Sequence, residues 1–234
     1  MEADHYRKMA WKRLGEGGWG PSILGFVFNA GVMLTMVLTA EVLRYVAAQP
    51  IMESGVAPTA MTPELRTYMG QMFIAMVLSI LGRTYFNAVA QYGWNCMAMA
   101  VMRRGASFGH ALSGYGRGWR TMWLGVVAGV YVFLQLLLLI VPGIRAIYSY
   151  RMMYFVRIDH PELSADATIA ESKRLMEGNR MNLFFLDLSF LGWWLFCIVT
   201  MGLGMILVHP YRMTANAAFY EDLLDKDEAR DDQD

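Results

Sequence analysis

Charged residues are scarce in this chain. Only 17% of its 234 residues are Asp, Glu, Lys or Arg, against the usual quarter in soluble domains. There are two cysteines, Cys96 and Cys197. So few exclude a secreted disulfide scaffold, and both lie in hydrophobic stretches, where a thiol behaves as a small apolar group. The four histidines, His5, His110, His160 and His209, are scattered without metal-ligand spacing. No serine sits in a nucleophile elbow. Gly114-Tyr115-Gly116-Arg117-Gly118 has no preceding strand and so makes no nucleotide-binding fingerprint. No catalytic, metal or cofactor constellation is left, and the expectation is a protein that is not an enzyme.

Apolar residues make up 56% of the chain, with 20 methionines and 7 tryptophans. They come in long blocks at 22–38, 72–81, 122–141 and 183–208. Such blocks exclude a water-soluble globular domain and a disordered chain. A bilayer core takes about 20 apolar helical residues per crossing. The stretches 22–47, 118–141 and 182–203 meet that requirement. The stretch 67–102 is long enough but is interrupted by Arg83, Asn87, Gln91 and Asn95. Two further segments, 143–158 and 205–224, are amphipathic. Each follows a breaker, Pro142-Gly143 or Gly202-Leu203-Gly204, which suits a tight turn at a membrane face. The first block exceeds a signal-peptide core and is expected to remain as a helix.

The expected fold is therefore all-α: a polytopic helical membrane bundle of about six transmembrane helices, arranged as three hairpins with amphipathic cytoplasmic connectors. The rival has four spans, with 143–158 and 205–224 lying in the interface. Either way, 1–224 forms one membrane domain and 225–234 an acidic, disordered cytoplasmic tail. From Glu221 onward there are eight acids and two bases, a net of −6. A run of like charge is usually solvated.

Basic residues fix the orientation. With the N-terminus inside, the cytoplasmic segments of the six-span arrangement carry Arg7, Lys8, Lys12 and Arg13, then Arg103, Arg104, Arg117 and Arg120. Further on come Arg157, Lys173, Arg174 and Arg180, then Lys226 and Arg230. The outer side carries only Arg44, Arg66 and Arg145. Both termini are expected in the cytoplasm. Basic loops flanking membrane spans favour anionic lipid headgroups, not nucleic acid, as partners.

An internal repeat is visible. Tyr150-Arg151-Met152 recurs as Tyr211-Arg212-Met213, 61 residues on. Lys12-Arg13-Leu14-Gly15-Glu16-Gly17 echoes Lys173-Arg174-Leu175-Met176-Glu177-Gly178. A looser middle copy places Ala111-Leu112 ahead of Gly118-Trp119-Arg120. Three units follow, at about 5–102, 105–158 and 164–224. Each has a short amphipathic helix, a glycine-containing corner and a hairpin. In the third, Ser164 is the expected cap and Gly178-Asn179 the expected stop.

The segment Leu175-Met176-Glu177-Gly178-Asn179-Arg180, followed by Phe185-Leu186-Asp187-Leu188-Ser189-Phe190-Leu191-Gly192-Trp193-Trp194, resembles the signature of the DUF975 family. So do Thr200-Met201-Gly202-Leu203-Gly204, His209-Pro210-Tyr211 and Ala218-Phe219-Tyr220-Glu221-Asp222-Leu223. The resemblance is specific over about 140–224 and looser before that. It implies a bacterial integral membrane protein of the plasma membrane and no particular activity.

The polar groups inside the apolar blocks are the candidate site. Arg83, Asn87, Gln91 and Asn95 are spaced four apart and share one drifting helical face. They either line a substrate path or make interhelical hydrogen bonds. Arg151 and Arg212 occupy matching repeat positions. They suit either a lipid phosphate or a structural anchor to carbonyls or to Asp187. Asp187 lies five residues inside its span, roughly 7–8 Å deep by helix rise, and can pair with Arg83, Arg151 or Arg212. Glu41 and Arg44 are expected to pair locally. Gly125 and Gly129 form a GxxxG that allows close helix contact, within the bundle or between copies. Trp19, Trp119 and Trp123 read as interface anchors, while Trp193 and Trp194 are expected in the core. Two functions fit this pattern. One is a non-enzymatic accessory, scaffold or lipid-binding protein, with a membrane protein partner in the first two cases. The other is a small transporter or export-associated protein for a lipid-like or amphipathic cargo. A transporter requires a wet cavity around Arg83, Gln91 and Arg212; a scaffold requires a dry bundle with an exposed partner face.

Overall fold

The computed structural model describes residues 2–54, 63–103, 105–138 and 140–231. Arg104, Asp232 and Asp234 of the charge pattern above lie outside these. The described chain is helical, with no strand among the described residues. Its α-helices are α1 (Glu2–Arg13), α2 (Trp19–Ser54), α3 (Pro63–Met102), α4 (Phe108–Leu112), α5 (Gly118–Leu138) and α6 (Ile140–Ser149). They continue with α7 (Met153–Asp159), α8 (Ala165–Leu175), α9 (Arg180–Ser189), α10 (Leu191–Val199) and α11 (Met205–Asp231). Among the described residues, four helical stretches are long and apolar enough to cross a membrane: Ala3–Val46, Arg66–Met102, Phe108–Leu137 and Arg180–Val199.

The chain divides into two compact units, Phe28–Asn87 and the remainder. The Phe28–Asn87 unit holds α2 from Phe28 to its end and most of α3. Leu34, Leu38, Phe73 and Leu78 are exposed there, a display that water does not tolerate over so many side chains. Four of its hydroxyls are satisfied inside their own helices. Thr35 donates to the Gly31 carbonyl, Thr39 to Thr35, Ser79 to Ala75 and Thr84 to Ile80. Apolar solvent offers these groups no other partner. Glu41 and Arg44 pair at 2.8 Å, as their spacing predicts.

The larger unit carries the core. Tyr6 and Ala10 from α1 and Leu14 just after it are buried with Met99 and Val101 from α3, Phe155 from α7, Leu183 from α9 and Phe219 from α11. Short helices α1, α4 and α8 each precede a corner and an outgoing apolar helix. The returning helices α3, α7 and α11 all end in the same core. Gly17 has φ 113° and Gly178 φ 81°. These are the matching glycines of the first and third units, and both take the left-handed conformation that side chains disfavour. Ser164 caps α8 by accepting from the Ala167 N–H at 3.2 Å. Between α10 and α11 the chain turns at Met201 (φ 51°) and Gly202 (φ 91°), where the breaker was expected.

Other expectations need correction. Pro142 and Gly143 do not form the turn of the second hairpin but lie in the first turn of α6. Proline is tolerated there because the first helical N–H groups have no intrahelical acceptor. Gly143 permits contact with α5, since a Cβ there would stand 2.3 Å from Leu136 Cδ2. The segment 143–158 is not one helix: α6 ends at Ser149 and α7 starts at Met153. Ten residues of α6 rise about 15 Å, so a crossing here would take in the break at 150–152 and α7 as well. Arg145 and Arg180, expected at opposite membrane faces, line one groove. The acidic tail is not disordered up to Asp231, since α11 runs through it. Lys226 pairs with Asp222 at 2.7 Å, and Asp227 with Arg174 at 2.6 Å, so cations offset its charge. Of the GxxxG pair, Gly125 packs within the chain, its Cβ position 3.0 Å from the Tyr154 hydroxyl, whereas Gly129 faces open space. Trp193 packs on the core, but Trp194 is 38% exposed.

Candidate functional site

Asp187 sits two turns into α9. From α11 the Arg212 Nε donates to Asp187 Oδ1 at 3.3 Å. From the break between α6 and α7, Arg151 Nη2 lies 3.8 Å from the same oxygen. The two arginines at matching repeat positions thus meet one carboxylate supplied by the helix between them. All three side chains are partly buried. The Arg212 guanidinium also lies 5.8 Å from the Trp194 ring centroid, which explains why that tryptophan is held outside the core. Two cations against one anion leave an excess positive charge. A lone cation in hydrocarbon costs about 2.5–3.5 kcal/mol on insertion scales, so the cluster suits a further anionic partner.

Beside the cluster, α6 and α9 enclose an open groove of about 470 Å³. Ile144, Tyr148, Met181 and Phe184 give it apolar walls, and Arg145 and Arg180 line it too. Arg180 Nε donates to Ser149 Oγ at 2.7 Å, and the buried Ser172 hydroxyl donates to the Ser149 carbonyl at 2.9 Å. These bonds fix the end of α6 against α8 and α9.

The expected polar seam on α3 does not form a single lining. Arg83 and Asn87 are exposed and belong to the Phe28–Asn87 unit. Gln91 is half-buried and Asn95 is buried. Asn95 donates its side-chain amide to the Gln91 carbonyl at 2.7 Å, a bond within one helix. Trp119 and Trp123 are exposed at the start of α5, at 70% and 54%, as interface anchors require.

Sequence reading did not find the junction of the three returning helices. Arg103, just after α3, forks onto both oxygens of Asp159 at 2.9 and 3.0 Å and bonds Glu221 Oε1 at 2.9 Å. The Tyr220 hydroxyl donates to Asp159 at 3.2 Å. The fork to Asp159, with Glu221 beside it, holds the Arg103 guanidinium protonated well above the ordinary arginine range. Arg174 is held likewise, by Asp227 first and Glu171 second. One signal for the junction was available, because Asp159 and Tyr220 are separated by the 61-residue repeat offset.

No curated protein and no solved structure matches the chain. A model of the family described as a protein of unknown function, DUF975, matches residues 112–227. That match covers about half the chain and includes both arginines, Asp187 and every motif quoted above for the resemblance. Through these residues the chain belongs to the DUF975 family.

Proposed function

We propose that this is a non-enzymatic integral membrane protein of the bacterial plasma membrane that binds a phosphate-bearing lipid at Arg151 and Arg212. Both termini are cytoplasmic in this reading, and the protein serves as an accessory or scaffold in the membrane. One observation carries it: two guanidinium groups share a single carboxylate, Asp187. Their spare donors match a phosphodiester, which accepts bidentate bonds from arginine. The adjoining apolar groove suits the acyl portion. Asp187 keeps the arginines oriented when no lipid is bound, and its depth of roughly 7–8 Å suits a glycerol–phosphate level.

The six-crossing arrangement belongs to this reading. It is supported by the return of α3, α7 and α11 to one core that includes α1. It predicts that a cysteine at Met201, in a variant lacking Cys96 and Cys197, reacts with an impermeant maleimide from the outer side.

The lipid reading is tested by native mass spectrometry of protein extracted gently from its own membranes. A stoichiometric phospholipid adduct, lost in Arg151→Ala and Arg212→Ala, is expected. A co-purifying protein with no lipid adduct would redirect the account to a purely proteinaceous partnership. The second reading, a small transporter for amphipathic cargo, is favoured by the groove between α6 and α9. It requires that groove to exchange its contents across the membrane in reconstituted vesicles.

A further inference from the structure

A second cavity, of about 420 Å³, lies where the start of α5 meets the loop before α8. It is lined by Trp119, Arg120, Trp123, Arg157, Glu162 and residues 163–165. Arg157 is 8% exposed, and its Nη1 donates to the Leu163 carbonyl. Among the described residues no carboxylate lies within ion-pair distance of Arg157 or Arg120. Glu162, the one acid in the lining, is 3.3 Å from His160 Nδ1 and stays exposed. A buried guanidinium with four N–H bonds beyond the one on Leu163 is costly unless a partner takes them. The start of α8 adds to the same field. Ser164 Oγ accepts the Ala167 N–H, while the N–H groups of Ala165 and Asp166 have no intrahelical acceptor. The Asp166 carboxylate accepts from the Tyr131 hydroxyl at 3.0 Å. Trp119 and Trp123, one turn apart on α5, stand exposed at the rim.

We infer that this cavity binds a phosphate group, with Arg157 as the buried ligand, Arg120 as the second cation and the two indoles flanking the esterified part. Its chemistry is that of an anionic phospholipid headgroup or of free phosphate. It is separate from the Arg151–Asp187–Arg212 cluster and does not depend on it.

The test uses full-length protein in micelles, titrated with short-chain phosphatidylglycerol and read by native mass spectrometry. Arg120→Gln is the primary variant because Arg120 is exposed and its loss leaves the core intact. Arg157→Lys is the second, and Lys173→Gln the charge control on an exposed face of α8. One bound lipid is expected to weaken on the order of tenfold in Arg120→Gln and Arg157→Lys, the loss of a charge-assisted hydrogen bond. It should be unchanged in Lys173→Gln. Inorganic phosphate then separates the sources. Displacement of that lipid at millimolar phosphate assigns the site to the phosphate group alone, and resistance assigns it to the whole headgroup. Unchanged binding in both arginine variants, or an equal loss in Lys173→Gln, would overturn the site.

Discussion

Replacing Arg103 with Met removes three hydrogen bonds at once, two to Asp159 and one to Glu221. It also leaves two carboxylates of like charge at the junction of three helices. The Arg103 side chain is 47% exposed, Asp159 20% and Glu221 31%. Fully exposed pairs contribute about 0.2–1 kcal/mol, whereas hydrogen bonds to charged groups in drier surroundings contribute about 1.5–3 kcal/mol. The Asp159 fork lies between these limits, at about 1.5 kcal/mol. The Glu221 contact adds about 0.5 kcal/mol. The total of about 2 kcal/mol lowers the melting temperature of a chain this size by about 4–8 °C. The assay is thermal unfolding in detergent, with a double-mutant cycle against Asp159→Asn. Asp159→Asn alone should cost less, since Glu221 still holds Arg103, and the coupling should be about 1 kcal/mol or more. Because the folded-state pKa of Arg103 is raised, its contribution is complete below the ordinary arginine range and fades only above it. The deficit of Arg103→Met should therefore be the same at pH 7 and pH 9. A melting shift under 1 °C, or zero coupling to Asp159, would refute the idea that this junction ties the three units together.

Three further outcomes follow from the same geometry. Gly17→Ala and Gly178→Ala place a side chain at φ 113° and 81° and should each cost about 1–2 kcal/mol, whereas Gly129→Ala, in open space, should cost nothing measurable by thermal unfolding. Asp187→Asn leaves Arg151 and Arg212 without their shared carboxylate and should strongly reduce folded yield in detergent; unchanged yield and melting on gel filtration and thermal scans would sink the pairing. Arg174→Gln breaks the contact with Asp227 at 2.6 Å and should speed hydrogen exchange in the last two turns of α11 while leaving α9 unchanged.

The local features of the fold were legible because they depend on near neighbours. A serine before a polar turn is a cap, a glycine after a basic turn is a corner, and an acid three residues before an arginine is a pair. The repeat extended that reach. Tyr150-Arg151 and Tyr211-Arg212, read as equivalent, put both arginines among the three candidate partners of Asp187. The Arg103 junction was hidden because its partners lie 56 and 118 residues away, and nothing local distinguishes Arg103 from other loop cations. Pro142 misled for a different reason. The residue that breaks a helix interior is equally at home in a first turn, and only the packing of Gly143 on Leu136 decides between them. The acidic tail misled because charge alone suggests solvation, while Lys226 and Arg174 supply counter-charges that keep α11 helical.

The lipid-binding claim rests on two arginines and one carboxylate, and photocrosslinking examines it at the site itself. Full-length protein is reconstituted with a phospholipid bearing a photoreactive group near its phosphate, irradiated, and mapped by peptide mass spectrometry. The account predicts labelling at Trp194 and Tyr148, abolished when Arg151 and Arg212 are both replaced by Ala. Labels spread evenly along the exposed apolar faces of α2 and α3, and unaffected by those replacements, would contradict it.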